Sequence, residues 1–343
     1  MIKPPVLRHG DRIAALSLSW GGPSIFPDRY KAGKRQIEQC LGVKLVEGRH
    51  TMADATWLAA HPEARASDLM EAFADPSIRA IVSTIGGDDS IRLLPFLDLA
   101  LIRDNPKPFL GYSDSTVIHF ACSKAGVVSF YGPSIMAGFG ENGGLFPYMV
   151  SSVRQNLFCT EAAGQIAPNT DGWTCERLEW AEPELQSQSR KLHPCSGWRW
   201  LKGTGIHRGR LMGGCVEVVD WLRGSPVWPD LAVWRESVLF LELSEEAIAP
   251  SALVRILRSI AATGALQAVR GILFGRPYGE ESSFGAYEMA LLEVCRELGL
   301  ESLPVVTQMD FGHTDPMFVI PYGIEAEIDC DRQQLRYTEA SVR

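Results

Sequence analysis

Several common signatures are missing from the 343 residues: no C-x-x-C pair, no H-E-x-x-H, no Walker-type phosphate loop, and no apolar run near the length of a membrane span. Each absence removes a class. Eight cysteines lie scattered at 40, 122, 159, 175, 195, 215, 295 and 330, which excludes a disulfide framework or zinc ribbon and fits reduced thiols in a cytoplasm. With no Cys/His cluster, neither a metal nor any other cofactor is expected. Positive charge is also short. Lys and Arg number 33 against 41 Asp and Glu, a net charge of −8, which argues against a nucleic-acid polymer or an anionic membrane as partner. A single nucleotide as small-molecule ligand stays open. The stretch Ile13-Ala14-Ala15-Leu16-Ser17-Leu18 is too short and too early interrupted to be a signal peptide's core.

What remains is an ordinary globular composition, 46% apolar and 22% charged, at a length that favours two domains over one. The first half alternates. Residues 12–19 read as a buried strand, 27–41 as a helix, 43–46 as a strand, 62–73 as a helix and 80–84 as a strand. A helix starts over 90–96, followed by a strand at 109–112, a helix at 114–124 and a strand at 127–130. Repeated βα units of this length predict an α/β fold: a doubly wound, mainly parallel sheet over residues 1–160. From 161 to 207 the alternation stops in a polar, turn-rich connection containing Trp173, Trp180, Trp198 and Trp200. Packing is the ordinary role of each tryptophan, although a substrate ring offers another partner. Residues 208–343 predict a second, β-rich C-terminal domain, with strands at 237–242, 269–274, 304–306, 317–320, 324–328 and 334–337, and helices at 216–222, 251–263 and 286–298.

The chain is organised around Phe109-Leu110-Gly111-Tyr112-Ser113-Asp114-Ser115-Thr116. A strand, a tight corner and a helix in succession can hold a serine hydroxyl above the free N–H groups of the helix. The plainer alternative is that Ser113 or Asp114 caps that helix, as such residues often do. At the same sheet edge, Ile85-Gly86-Gly87-Asp88-Asp89-Ser90 can bring backbone N–H groups close to a ligand, or simply turn. Glu242 ends a hydrophobic strand and needs a partner, whether Arg276 or a histidine. His313 follows a strand in Gly312-His313-Thr314-Asp315, where Asp315 alone could hold it. Together Ser113, Glu242 and His313 supply a nucleophile, an orienting acid and a base. Gly138-Phe139-Gly140-Glu141-Asn142-Gly143 fits the dinucleotide pattern, even to Glu161 further on, but follows no clear strand and is rejected. The remaining histidines, at 9, 50, 61, 119, 193 and 207, have no usable partner pattern.

The combination Ile85-Gly86-Gly87, Gly111-Tyr112-Ser113-Asp114, Tyr131-Gly132-Pro133, Gly209-Arg210-Leu211-Met212-Gly213-Gly214, Leu239-Phe240-Leu241-Glu242 and Phe311-Gly312-His313 resembles the LD-carboxypeptidase serine peptidases. It is most similar to their microcin C immunity branch. The resemblance spans nearly the whole chain. It implies Ser113 as nucleophile, Glu242 and His313 as its partners, and an oxyanion held by the N–H of Asp114 with that of Gly86 or Gly87. It also implies a homodimer with the triad assembled between two domains. Where cell-wall enzymes of the family commonly read R-G-G-x-G, G-G-N and L-E-D, this chain has Ile85-Gly86-Gly87-Asp88-Asp89, Gly213-Gly214-Cys215 and Leu241-Glu242-Leu243. Those departures lean toward cleavage of an aminoacyl-nucleotide amide, with Trp173 and Trp180 as candidates to stack on the base. A murein peptide substrate and a noncatalytic sugar- or nucleotide-binding role on the same fold are the alternatives.

Overall fold

The structure is a computed structural model that describes all 343 residues. The first half supplies β1 (Arg12–Leu16), β2 (Lys44–Glu47), β3 (Ile78–Ser83), β4 (Phe109–Gly111) and β5 (Ser129–Tyr131). These five strands run parallel in the order β5-β4-β3-β1-β2. The side chains of β1, β3, β4 and β5 are buried along nearly their full length, as a sheet covered on both faces requires, whereas the edge strand β2 buries only Leu45. The helices between them start where the sequence offers a stiff first residue. Pro27–Leu41 and Pro62–Ala74 both have proline in the first turn, and the former ends on Gly42 at φ 66°.

The second half contributes β6 (Gly164–Ile166), β7 (Arg199–Lys202), β8 (Ile206–Cys215), β9 (Ser237–Glu242), β10 (Ile272–Gly275), β11 (Val305–Met309), β12 (Ile320–Tyr322), β13 (Glu325–Asp329) and β14 (Gln334–Tyr337). Eight of these nine form one sheet, ordered β6-β14-β13-β8-β9-β10-β11-β7. Its centre, β8 to β11, is parallel, with the helices Pro250–Ala262 and Phe284–Glu297 as crossovers; its flanks are antiparallel.

Three placements differ from the expectations. The ninth strand, β12, leaves the C-terminal sheet and pairs antiparallel with β5 at the edge of the first sheet. Two strands, β6 and β7, lie inside the segment read as a connection. Residues 209–215, just before the helix expected at 216–222 and not among the expected strands, belong to the ten-residue strand β8. Glycine is required there by packing: a Cβ on Gly213 would sit 1.7 Å from the Phe240 carbonyl oxygen, and one on Gly214 would sit 2.4 Å from Thr116 Oγ1. One continuous apolar core runs through both halves. Tyr322 of β12 seals the join, its hydroxyl donating to the Gly213 carbonyl and accepting the Gly213 N–H, each at 3.1 Å.

Candidate active site

β4 ends at Gly111, where a Cβ would come within 2.7 Å of Ser115 Oγ and 3.1 Å of Ser83 Cβ, so glycine leaves the room in which the corner folds back on the strand. Two residues on, Ser113 sits at φ 61°, a left-handed conformation that costs a non-glycine residue about 1–2 kcal/mol. A short 3₁₀ turn, Ser113–Ser115, leads into the helix Thr116–Ala125. Neither Ser113 nor Asp114 caps that helix with its side chain. Asp114 instead reaches across to the glycine loop. Its Oδ2 accepts the N–H groups of Asp89 and Ser90 at 3.0 and 2.8 Å, and Ser90 Oγ donates to its carbonyl at 2.7 Å. The loop is thereby clamped against the serine corner, so that a Cβ on Gly86 would lie 2.9 Å from Ser113 Cβ. The N–H groups of Gly86, Gly87 and Asp114 have no acceptor in the protein.

The C-terminal sheet delivers the other two groups. His313 Nε2 lies 3.0 Å from Ser113 Oγ, and its Nδ1 lies 2.7 Å from Glu242 Oε2. A carboxylate can only accept, so Nδ1 carries the proton and Nε2 faces the serine. Glu242 is fully buried at the end of β9, in a slot walled by glycines. A Cβ on Gly312 would lie 2.6 Å from Glu242 Oε2, and one on Gly275 would lie 2.8 Å from Glu242 Cβ. The hydroxyl of Tyr131, on β5, donates to Glu242 Oε1 at 2.5 Å and accepts the Ser113 N–H at 3.0 Å. One side chain therefore ties the serine corner to the glutamate. Arg276 does not pair with Glu242; it bridges Asp310 at 2.7 Å. Burial opposes charge on His313, but Glu242 and Glu245 outweigh it and lift the imidazole to about 10.

These groups open into a cavity of about 510 Å³ lined by Ser113, His313, Gly86 and Gly87. Trp180 also lines it, packed edge-on against Phe26 and under the Arg29 guanidinium at 4.8 Å. Trp173 does not, which corrects the expectation that it stacks on a base. Its ring is buried against His193 and Phe284, with Arg276 over it at 5.1 Å. Cys215 is buried as well, its thiol directed to Glu217 Oε2 at 3.1 Å.

Several lining residues carry no signal in the sequence. The glycine-rich stretch rejected as a dinucleotide loop supplies Gly138 and Asn142, while its Glu141 pairs with Arg190. Arg190 also holds Asp315 at 2.7 Å, and Arg177 holds Glu245 at 2.8 Å. Arg29 is buried with no carboxylate partner; it donates to Met136 O, Asn142 Oδ1 and Gln186 Oε1 at 2.8, 2.5 and 3.1 Å. Burial brings its guanidinium down to about 10. His119, without apparent role in the sequence, is buried under the serine corner, donating to the Gly111 carbonyl at 2.9 Å, and burial drops it to about 4.

Profiles of the LD-carboxypeptidase N-terminal and C-terminal domains match residues 13–132 and 208–328. The chain belongs to the LD-carboxypeptidase family. It is accordingly a serine peptidase of carboxypeptidase type. The microcin C7 self-immunity protein MccF of Escherichia coli is 29% identical over 97% of this chain and 94% of its own. A probable murein peptide carboxypeptidase of Bacillus subtilis is 26% identical over 95% and 91%. Among solved structures, an MccF-like protein of Streptococcus pneumoniae in complex with AMP superposes with a TM-score of 0.87 at 28% identity, covering 96% of this chain and 99% of that one. MccF with aspartyl sulfamoyl adenosine gives 0.86 at 27% identity over the full length of both chains. As in those relatives, the fold of this LD-carboxypeptidase is two α/β units, the first built on a mostly parallel sheet. No helix is long and apolar enough to cross a membrane.

Proposed function

We propose that this LD-carboxypeptidase is a Ser-His-Glu hydrolase that cleaves the amide joining an aminoacyl or peptide carboxyl group to a nucleotide-like amine, detoxifying a microcin C-like conjugate. The observation that carries it is the unbroken relay from Ser113 Oγ through His313 to Glu242, at 3.0 and 2.7 Å. Neutral His313 takes the hydroxyl proton as Ser113 attacks the carbonyl carbon, then returns it to the leaving nitrogen. Water enters by the same route in reverse and frees the acyl group. Glu242 fixes the tautomer and stabilises the imidazolium. The N–H of Asp114 and that of Gly86 or Gly87 receive the oxyanion, since all three lack protein acceptors beside the serine.

The nucleotide leaving group is favoured by Trp180, which lines the cavity beside Arg29, and by likeness to proteins solved with AMP and aspartyl sulfamoyl adenosine. Likeness to a probable murein peptide carboxypeptidase favours the second reading, a cell-wall recycling enzyme. We take residues 1–160, 161–207 and 208–343 as nucleophile-bearing unit, connection and partner-bearing unit. We place the enzyme in the cytoplasm, where its eight free cysteines stay reduced, and read it as a homodimer, which sedimentation checks. Ser113→Ala is expected to abolish hydrolysis of aspartyl sulfamoyl adenosine while leaving thermal unfolding cooperative. Undiminished hydrolysis by that variant overturns the assignment.

A further inference from the structure

Glu245 has no part in the relay, yet its Oε2 lies 3.0 Å from His313 Nε2. That is the nitrogen standing 3.0 Å from Ser113 Oγ. A ring nitrogen has one position for a proton. While the proton is there it points at a carboxylate, and Nε2 cannot accept from serine. The free enzyme therefore rests with an imidazolium braced between Glu242 and Glu245. Something must draw Glu245 away before the serine can attack. The carboxylate is free to move: its side chain is 40% exposed, and its other partner is Arg177, itself 62% exposed.

The charges around the imidazole say what could draw it. Six carboxylates in and just behind the cavity wall, Glu141, Glu176, Glu179, Glu242, Glu245 and Asp315, are set against three guanidiniums, Arg29, Arg177 and Arg190. The hydroxyls of Tyr112 and Tyr278 stay neutral, raised by burial. The imidazolium is the fourth positive charge. Negative charge is thus already in excess, and the excess grows by one when His313 passes its proton on, which favours a cation beside Glu245. Asp315 Oδ1, in the same wall, is buried with no hydrogen-bond partner.

We propose that Glu245 receives a free α-ammonium group on the acyl residue of the substrate, and that its exchange from His313 to that ammonium switches Nε2 into its proton-accepting state. Reach supports the α position. The two successive contacts bound the Oγ to Glu245 separation at twice 3.0 Å. An α-nitrogen lies about 2.5 Å from the carbonyl carbon that Oγ attacks. This rests on the function proposed above and narrows it: the acyl group is a single amino acid with an unblocked nitrogen. A murein tetrapeptide has the α-nitrogen of its scissile residue in an amide, and its one free diaminopimelate ammonium lies at the far end of that side chain, so it brings no ammonium to Glu245 from the α position.

The test compares aspartyl sulfamoyl adenosine, its N-acetyl derivative and L-Ala-D-Glu-diaminopimelate-D-Ala on wild type and on Glu245→Gln. Wild type is expected to prefer the free amine by about 50-fold in kcat/KM, as loss of a charged hydrogen bond implies. Glu245→Gln is expected to shrink that preference to a few-fold and to extend the acid limb of kcat/KM to lower pH, because His313 loses one of the carboxylates holding its proton. Calorimetric binding of both nucleotide amides to Ser113→Ala gives the same preference without turnover. Equal cleavage of the free and acetylated amides by wild type, or an unchanged ratio and pH profile in Glu245→Gln, overturns the ammonium role and leaves the nucleotide reading standing. Cleavage of the tetrapeptide alone, or of none of the three, overturns both.

Discussion

Replacing Glu242 with glutamine exchanges one oxygen for nitrogen, and the hydrogen bonds around the site decide which one. Tyr131 accepts the Ser113 N–H, so its own proton goes to Glu242 Oε1. In Glu242→Gln the carbonyl oxygen stays opposite that donor and the amide NH2 faces His313 Nδ1. Nδ1 must then accept, the ring proton moves to Nε2, and the base is in the wrong tautomer. Loss of the orienting carboxylate in a comparable triad lowers kcat by about 10⁴, roughly 5 kcal/mol on the barrier. We expect a loss of about 10³–10⁴ here. The size of the effect depends on Tyr131. Flipping the amide to restore the correct tautomer opposes its NH2 to the Tyr131 hydroxyl, at a penalty of about 1–3 kcal/mol for a buried, unsatisfied group. Removing that hydroxyl removes the penalty, so Tyr131→Phe/Glu242→Gln is expected to be about ten-fold or more faster than Glu242→Gln alone. Stopped-flow or steady-state hydrolysis of aspartyl sulfamoyl adenosine by the four members of this cycle measures the coupling. A loss below ten-fold in Glu242→Gln, or a double variant no faster than the single, refutes the tautomer reasoning.

Gly86→Ala would place a methyl 2.9 Å from Ser113 Cβ, too close to stay without a shift, and a misplacement of about 1 Å in a reacting group lowers activity by about 10²; wild-type rates with an unshifted melting temperature would show that the loop does not support the serine. The pH dependence has two opposite arms. His313 is raised from 6.5 to about 10 in the folded protein, so its contribution to stability is fully present below pH 6.5 and lost as pH rises toward 10. Over the same window kcat/KM rises, since the neutral imidazole is the base. The difference in urea midpoint between wild type and Glu245→Gln at pH 6, 8 and 10 isolates the first arm, and a constant difference would remove His313 as its source.

Much of the fold was legible locally. The βα alternation through residue 131 follows from apolar runs and helix-starting prolines, and the serine corner from a strand, a glycine and a helix in direct succession. Glycine-rich β8 was not legible, because its glycines answer to Phe240 and Thr116, far along the chain. Nor was β12 in the first sheet, because a three-residue strand names no partner. Of two tryptophans with equal standing in the sequence, Trp180 lines the cavity and Trp173 is packed away, a difference set by Phe284 and Arg276 from distant segments.

By itself the sequence determined the class of fold and, through its family motifs, a serine, a glutamate and a histidine to test. Periodicity and turn chemistry are properties of neighbouring residues, so a string of letters carries them. The tertiary structure alone decided that Tyr131 joins Ser113 to Glu242, that Glu245 competes for the imidazole, and that Asp114 clamps the glycine loop. Those contacts span 18 to 111 residues, and only the packing of two sheets on one core brings such atoms to within about 3 Å.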